Sequence, residues 1–197
     1  NAPETLNLRG RDQQFEHDYT VPQAIRTKVP EEHYSTSYIA DRTAEWLKAR
    51  KGNDTPFLLV VSFPDPHHPF TPPGKYWDMY KPEDMPVPVA YETDDWNPPE
   101  YVKSAERARA SDPNLGQMAG YSLAVSKQEA LQARALTCGM ISMIDDAVGQ
   151  VRKAASDAGV AKNTVQIYTS DHGDHLGEHR LLFKGAEQYD SLTHVPF

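Results

Sequence analysis

Two short stretches of this sequence gather side chains able to hold a cation and move a proton: TSDHGDHLGEH, Thr169 to His179, and FPDPHHPF, Phe63 to Phe70. In the first, Asp171 offers a carboxylate to a hard divalent cation, His172 offers an adjacent imidazole, and Gly173 follows to let the backbone turn. Consecutive residues of an extended chain point to opposite sides, so both reach one ion only where that turn breaks extended geometry. In the second, His67 supplies another imidazole. Lys184, further along in RLLFKG, supplies an ammonium. A cation, a lysine and a histidine around one tetrahedral oxyanion neutralise its charge and protonate a departing oxygen, which is the chemistry of phosphoryl or sulfuryl transfer. Taken singly, an Asp-His dipeptide or a lone lysine reads as ordinary loop surface.

A competing motif overlaps the first stretch. HLGEH, His175 to His179, fits the H-x-x-E-H pattern of a class of zinc peptidases. That pattern works on a helix, where residues four apart share a face and both histidines reach the metal. Gly177 lies inside the five residues, Gly173 lies just before them and a strand precedes, so the helix is poorly supported. His175 and His179 are therefore set aside, as is His68, read as a neighbour of His67 whose side chain points elsewhere.

The elements that must position these residues follow from periodicity. Residues 1–34 mix Pro, Gly and charge without period and read as an irregular arm. From Ser35, Ile39, Thr43, Trp46 and Leu47 mark one face of a helix that Gly52 stops. FLLVV, Phe57 to Val61, bounded by Pro56 and Pro64, reads as a strand buried on both faces that leads directly into PHHPF. The stretch from Asp65 to about Ser126 carries most of the prolines, and residues 71–126 read as a long loop excursion, pinned by aromatics such as Tyr76, Trp77 and Tyr80. KQEALQARALTCGMISMIDDAVGQVRKAASDAG is the strongest helix, with Ile141, Ile144, Val148, Val151 and Ala155 along one face, Met140 and Met143 as core filler, and Gly159 at its close. NTVQIYTSDHG then reads as a strand running into the histidine-rich stretch. The pattern is α/β, a mostly parallel sheet flanked by helices in a single domain over 1–197, and both polar clusters fall at strand C-terminal ends, where such sheets bind ligands.

Composition sets the partners. The 197 residues carry a formal charge of −8, which argues against a nucleic-acid backbone as partner. The longest strongly apolar run is five residues, far too short to span a bilayer, and no signal-peptide pattern opens the chain. A soluble protein is expected, with cytoplasm and periplasm both open. The single cysteine, Cys138, allows no disulfide within the chain and reads as a small buried hydrophobe.

FLLVVSFPDPHHPFTPPGKYWDMY and YTSDHGDHLGEHRLLFKGAEQYDSLTHVPF, with the helix MISMIDDAVGQV between them, together resemble the type I sulfatases of the alkaline phosphatase superfamily, including their phosphonate monoester hydrolase relatives. The resemblance runs from about Ser35 to Phe197, weakest in the middle. It implies a partial alkaline-phosphatase-like fold that lacks the N-terminal strands and the C-terminal subdomain. It implies that Asp171 and His172 are metal ligands, for Ca2+ first and Mn2+ or Zn2+ as alternatives. By the same resemblance Lys184 binds the sulfate, and His67 contacts the ester and helps protonate the departing alcohol. The implied substrate is a small-molecule or carbohydrate sulfate ester.

The departures concern activity. The family's nucleophile is a formylglycine made from C/S-x-P-x-R, and no such motif occurs in this sequence; Cys138 lies in CGMIS, which has neither the Pro nor the Arg. The family's first-strand aspartates have no counterpart in Asp145 and Asp146, which lie mid-helix. An internal fragment of a sulfatase-like enzyme, inactive by itself, is the expectation, and its uncovered sheet edges favour homo-oligomers. A phosphonate monoester or phosphodiester hydrolase and a non-catalytic binding module are the alternatives.

Overall fold

The computed structural model describes residues 14–93, 95–112, 114–116 and 121–197. Its longest element, a helix we call α3, spans Lys127–Asp157. A reciprocal cap starts it: the Glu129 N–H donates to Ser126 Oγ (3.2 Å) and the Ser126 N–H donates to Glu129 Oε2 (2.8 Å). It ends as the chain turns through Gly159 at φ +79°. Its buried face carries Leu136, Met140, Met143, Ile144 and Ala147, whereas Ile141 is exposed. The inward stripe is thus rotated from the one that β-branched spacing alone predicts, and both methionines fill the core.

Helix α1, Ser35–Lys48, buries Ala40, Thr43, Ala44 and Leu47, at the i, i+3, i+4, i+7 spacing of one helical face. Trp46, expected on that face, stays partly exposed and meets Phe57 edge-on. Ala44 and Leu47 pack on Ala154 and Ala155 of α3, and these small residues let the two helices approach closely.

The excursion contains a helix that no apolar stripe foretold, α2, Glu100–Ser111. Val102 is its one buried residue, and it is tied down by Arg109, whose guanidinium pairs with Glu129 at 2.8 Å with both side chains largely buried. Tyr76 and Trp77 are buried as well, and the Tyr76 hydroxyl donates to Asp146 on α3 (2.6 Å).

The expected mostly parallel sheet does not form among the described residues. The one ladder there is a short antiparallel pair, β1 (Leu123–Ala124) with β2 (Leu181–Leu182), in the register Leu123 to Leu182 and Ala124 to Leu181. Phe57–Val61 and residues 164–170 lie in no helix or strand and join no ladder there. Phe57 and Leu59 turn inward against the α1–α3 contact, while Leu58 and Val60 are 90% and 79% exposed, so this run buries one face rather than two. Val165 and Ile167 are also largely exposed.

The main core collects Val21, Phe70, Trp77, Leu123, Leu136, Met140, Leu182 and Phe183. The arm after residue 13 is tied to it by an exchange of backbone bonds with Phe70: Phe70 N–H to Gln23 O (2.9 Å) and Ile25 N–H to Phe70 O (3.0 Å). A four-residue helix, α4, Asp190–Thr193, follows β2. No helix among the described residues is long and apolar enough to cross a membrane.

Candidate active site

Phe70, two positions after His68, and Phe183, immediately before Lys184, lie in one core with their rings stacked at 6.2 Å. Burial of these two phenyl rings brings together the turns that carry the candidate residues.

The PHHPF turn is anchored through Asp65. Tyr34 donates to Asp65 Oδ1 (3.2 Å) and Thr36 to Oδ2, both from the start of α1. Burial raises the Asp65 pKa, and these two donors oppose the shift. Past the turn, His67 is exposed and its Nδ1 contacts the His68 carbonyl. A carbonyl only accepts, so Nδ1 carries the proton and Nε2 is the nitrogen left for chemistry. His68 departs from expectation. It is 8% exposed, and its ring lies 4.1 Å from those of both His67 and Phe183.

At the second turn, His172 Nε2 and Asp171 Oδ2 stand 3.7 Å apart. Cation–ligand bonds of about 2.0–2.6 Å from each atom meet at a common point over that span, so the pair fits a shared divalent ion. The His172 Nδ1–H donates to the Gly173 carbonyl (2.7 Å), which orients Nε2 outward, as metal-binding imidazoles need. Burial acts upward on the Asp171 carboxyl, but the His172 charge, the backbone N–H groups of His172 and Asp171 itself, and Lys184 outweigh it and hold its pKa below the ordinary aspartate value. Gly173 earns its place differently from the sharp turn expected of it. A Cβ there would stand 2.0 Å from the Ser191 carbonyl oxygen, and its N–H donates to Leu192 O (2.8 Å), so the glycine admits the α4 segment rather than a left-handed turn.

Among the described residues no group of three or more His, Cys, Asp or Glu side chains is placed to hold a metal, so Asp171 and His172 by themselves would supply only part of a coordination shell. HLGEH forms no α-helix: Gly177 is left-handed at φ 92°, a 3-10 turn begins only at Glu178, His175 is fully buried with Nδ1 3.0 Å from Ser191 Oγ, and His179 stacks on Tyr189 at 3.7 Å.

Between this turn and Lys184 the backbone is strained. Leu176, His179, Arg180 and Phe183 all have positive φ, a conformation that costs a non-glycine residue about 1–2 kcal/mol. Several bonds hold it there. Asp174 Oδ1 accepts the Leu176 N–H (3.1 Å), and Arg134 of α3 donates to Leu176 O (2.8 Å), Pro86 O (2.9 Å) and Glu178 Oε1 (2.6 Å). The left-handed Phe183 buries its ring, whereas the next residue, Lys184, stays partly exposed.

Lys184 makes no hydrogen bond or ion pair at contact distance among the described residues. Burial lowers its pKa, while Asp174 and Asp171 act to raise it. Asp174, which motif reading missed, is a carboxyl whose pKa burial raises against the Leu176 N–H, Lys184, the Phe183 N–H and His67. His67, Asp171, His172, Asp174 and Lys184 are therefore linked through one electrostatic neighbourhood. Cys138 lies outside it, its pKa raised by burial and only partly lowered by Arg134, so no activated thiol is present there.

The sulfatase family model matches residues 6–197. This chain belongs to the sulfatase family. It is 33% identical over 177 residues to the multifunctional alkaline phosphatase superfamily protein PehA of Trinickia caryophylli, covering 86% of this chain and 33% of that protein. It is 34% identical over 164 residues to an arylsulfatase of Clostridium perfringens, covering 83% of this chain and 31% of the relative. The sulfatase chain also superposes on the crystal structure of the phosphonate monoester hydrolase of Agrobacterium radiobacter with a TM-score of 0.69 at 24% identity, over 95% of this chain and 37% of the other, which shows an alkaline-phosphatase-like fold. The chain thus spans about a third of the length of the curated relatives it matches.

Proposed function

We propose that the protein containing this chain hydrolyses sulfate monoesters of small molecules or carbohydrates. The observation that carries the reading is the Asp171–His172 donor pair, 3.7 Å apart, set near a lysine whose ammonium no carboxylate among the described residues meets at contact distance. Family membership supports it, as do relatives whose names are arylsulfatase and iduronate 2-sulfatase.

In this reading Asp171 Oδ2 and His172 Nε2 hold a divalent cation. The resemblance puts Ca2+ first, and the imidazole also suits Mn2+ or Zn2+. When bound, the cation supplies positive charge that polarises the ester and counters charge developing at the reacting centre. Lys184 steadies the sulfuryl oxygens as a point charge. His67, its Nδ1–H committed to the His68 carbonyl, turns Nε2 toward the leaving oxygen and, when protonated there, donates to the departing alcohol. No formylglycine precursor motif occurs in this sequence, so the chain by itself is expected to show no turnover.

Parallel assays of the full-length protein on an aryl sulfate and an aryl phosphonate monoester test the proposal. A higher kcat/KM on the sulfate is expected. A preference for the phosphonate would move the assignment to the hydrolases whose fold the chain shares, and activity on neither ester would favour a binding module.

A further inference from the structure

His68 borders this neighbourhood, and no part of the proposed chemistry uses it. Its side chain is wedged between the His67 ring and the Phe183 ring, each at 4.1 Å, and is 8% exposed. Its Nδ1 is sealed from solvent with no hydrogen-bond partner among the described residues, whereas Nε2, equally without a partner there, is not sealed. The side chain therefore has one blind nitrogen and one that opens outward.

The position of the proton follows. Burial, then the nearby His67, Lys184 and His172, push the His68 pKa down to about 4, so the ring is neutral and carries a single N–H at neutral pH. An orphaned buried N–H is rarer in proteins than an orphaned acceptor, so the proton belongs on Nε2 and the bare lone pair on Nδ1. A phenyl ring would fill the same wedge without leaving a buried nitrogen unpartnered. What the imidazole adds over a phenyl is an outward donor, held rigid by two ring contacts and adding no charge beside Lys184 and His67.

We propose that His68 is a second substrate-binding imidazole, whose Nε2–H donates to an oxygen of the tetrahedral oxyanion held beside Lys184. The inference rests on the reading of this neighbourhood as an ester-anion site, and it assigns to His68 a role distinct from the proton transfer assigned to His67.

The test is the affinity of the full-length protein for inorganic sulfate, by calorimetry, across His68→Phe, His68→Gln, His68→Asn and Lys184→Ala. Phenylalanine keeps the ring contacts and removes the donor. It is expected to weaken sulfate binding about 10–100-fold, the loss of one hydrogen bond to a charged group. Glutamine places an amide N–H near the Nε2 position and is expected to recover part of that affinity; asparagine, which reaches only as far as Nδ1, is expected to recover none. Wild-type affinity in His68→Phe, alongside a loss in Lys184→Ala, overturns the role of His68 and leaves the site reading intact. Wild-type affinity in both variants, or no sulfate binding by the wild type, overturns both. Should His68→Phe fail to fold, the contrast between glutamine and asparagine decides, and equal affinities in those two variants overturn the assignment of Nε2.

Discussion

The ring of Phe70 stacks on that of Phe183 at 6.2 Å, inside a core that also holds Leu136 and Met140 of α3. Through this contact two turns more than a hundred residues apart in sequence become neighbours. The candidate site is, in this sense, built on a hydrophobic contact between residues that do no chemistry. Replacing Phe183 by Ala should cost about 3–5 kcal/mol, the usual range for emptying a buried phenyl site, and should also free Lys184 from its left-handed anchor. Denaturant unfolding of the full-length protein measures the first effect. A loss below about 1 kcal/mol would mean that the two turns are held together by something else.

Asp171 and His172 should bind the cation jointly. Asp171→Asn and His172→Ala, made separately, are each expected to lower the metal content of purified protein, measured by elemental analysis, with Ca2+ the first ion to seek. Unchanged content in both variants would remove this pair from the coordination shell.

His67→Ala in the full-length enzyme should slow esters with poor leaving groups by about 10² to 10⁴, the ordinary worth of a positioned general acid, and activated aryl sulfates far less. The slope of log kcat/KM against leaving-group pKa reads this out. Equal losses across the series would assign His67 to binding alone.

The low pKa of His68 predicts a pH dependence of stability. In the unfolded chain a histidine titrates near its ordinary value of 6.5, while in the folded protein His68 titrates at about 4. Between those values the unfolded state binds the extra proton, so stability conferred by the neutral ring is fully present above about pH 6.5 and is lost as pH falls toward 4. Within that window the wild type should lose up to about 1.4 kcal/mol per pH unit more than His68→Phe does. Unfolding free energies at pH 7, 5.5 and 4.5 compare the two, and identical slopes would contradict the buried neutral imidazole.

Much of this was open to reading from residue types. Ser126 and Glu129, three apart ahead of an apolar run, spell the cap that starts α3, and Gly159 marks its end, because caps are made within one turn of chain. Asp171, His172, Lys184 and His67 stand out because few residue types bind cations or anions. Helix α2 left no such trace: it buries Val102 alone and is held by Arg109 reaching Glu129, a pairing that no local pattern records. Asp174, His68 and Arg134 were equally silent. A carboxylate, an imidazole and a guanidinium acquire their roles here from burial, from a ring against Phe183 and from two distant carbonyls.

By itself the sequence determined the strongest helices, the apolar runs that lead into both polar turns, and the chemical types at those turns, since each depends on side-chain size, branching and hydrogen bonds reaching only a few residues. Tertiary structure alone decided that Phe70 meets Phe183, that four non-glycine residues are left-handed between Asp174 and Lys184, and that His68 is buried against Phe183 while His67 stays exposed. The reason is that burial belongs to the meeting of segments: strain and a sealed nitrogen persist only where packing from elsewhere in the chain outweighs what the local residues would choose.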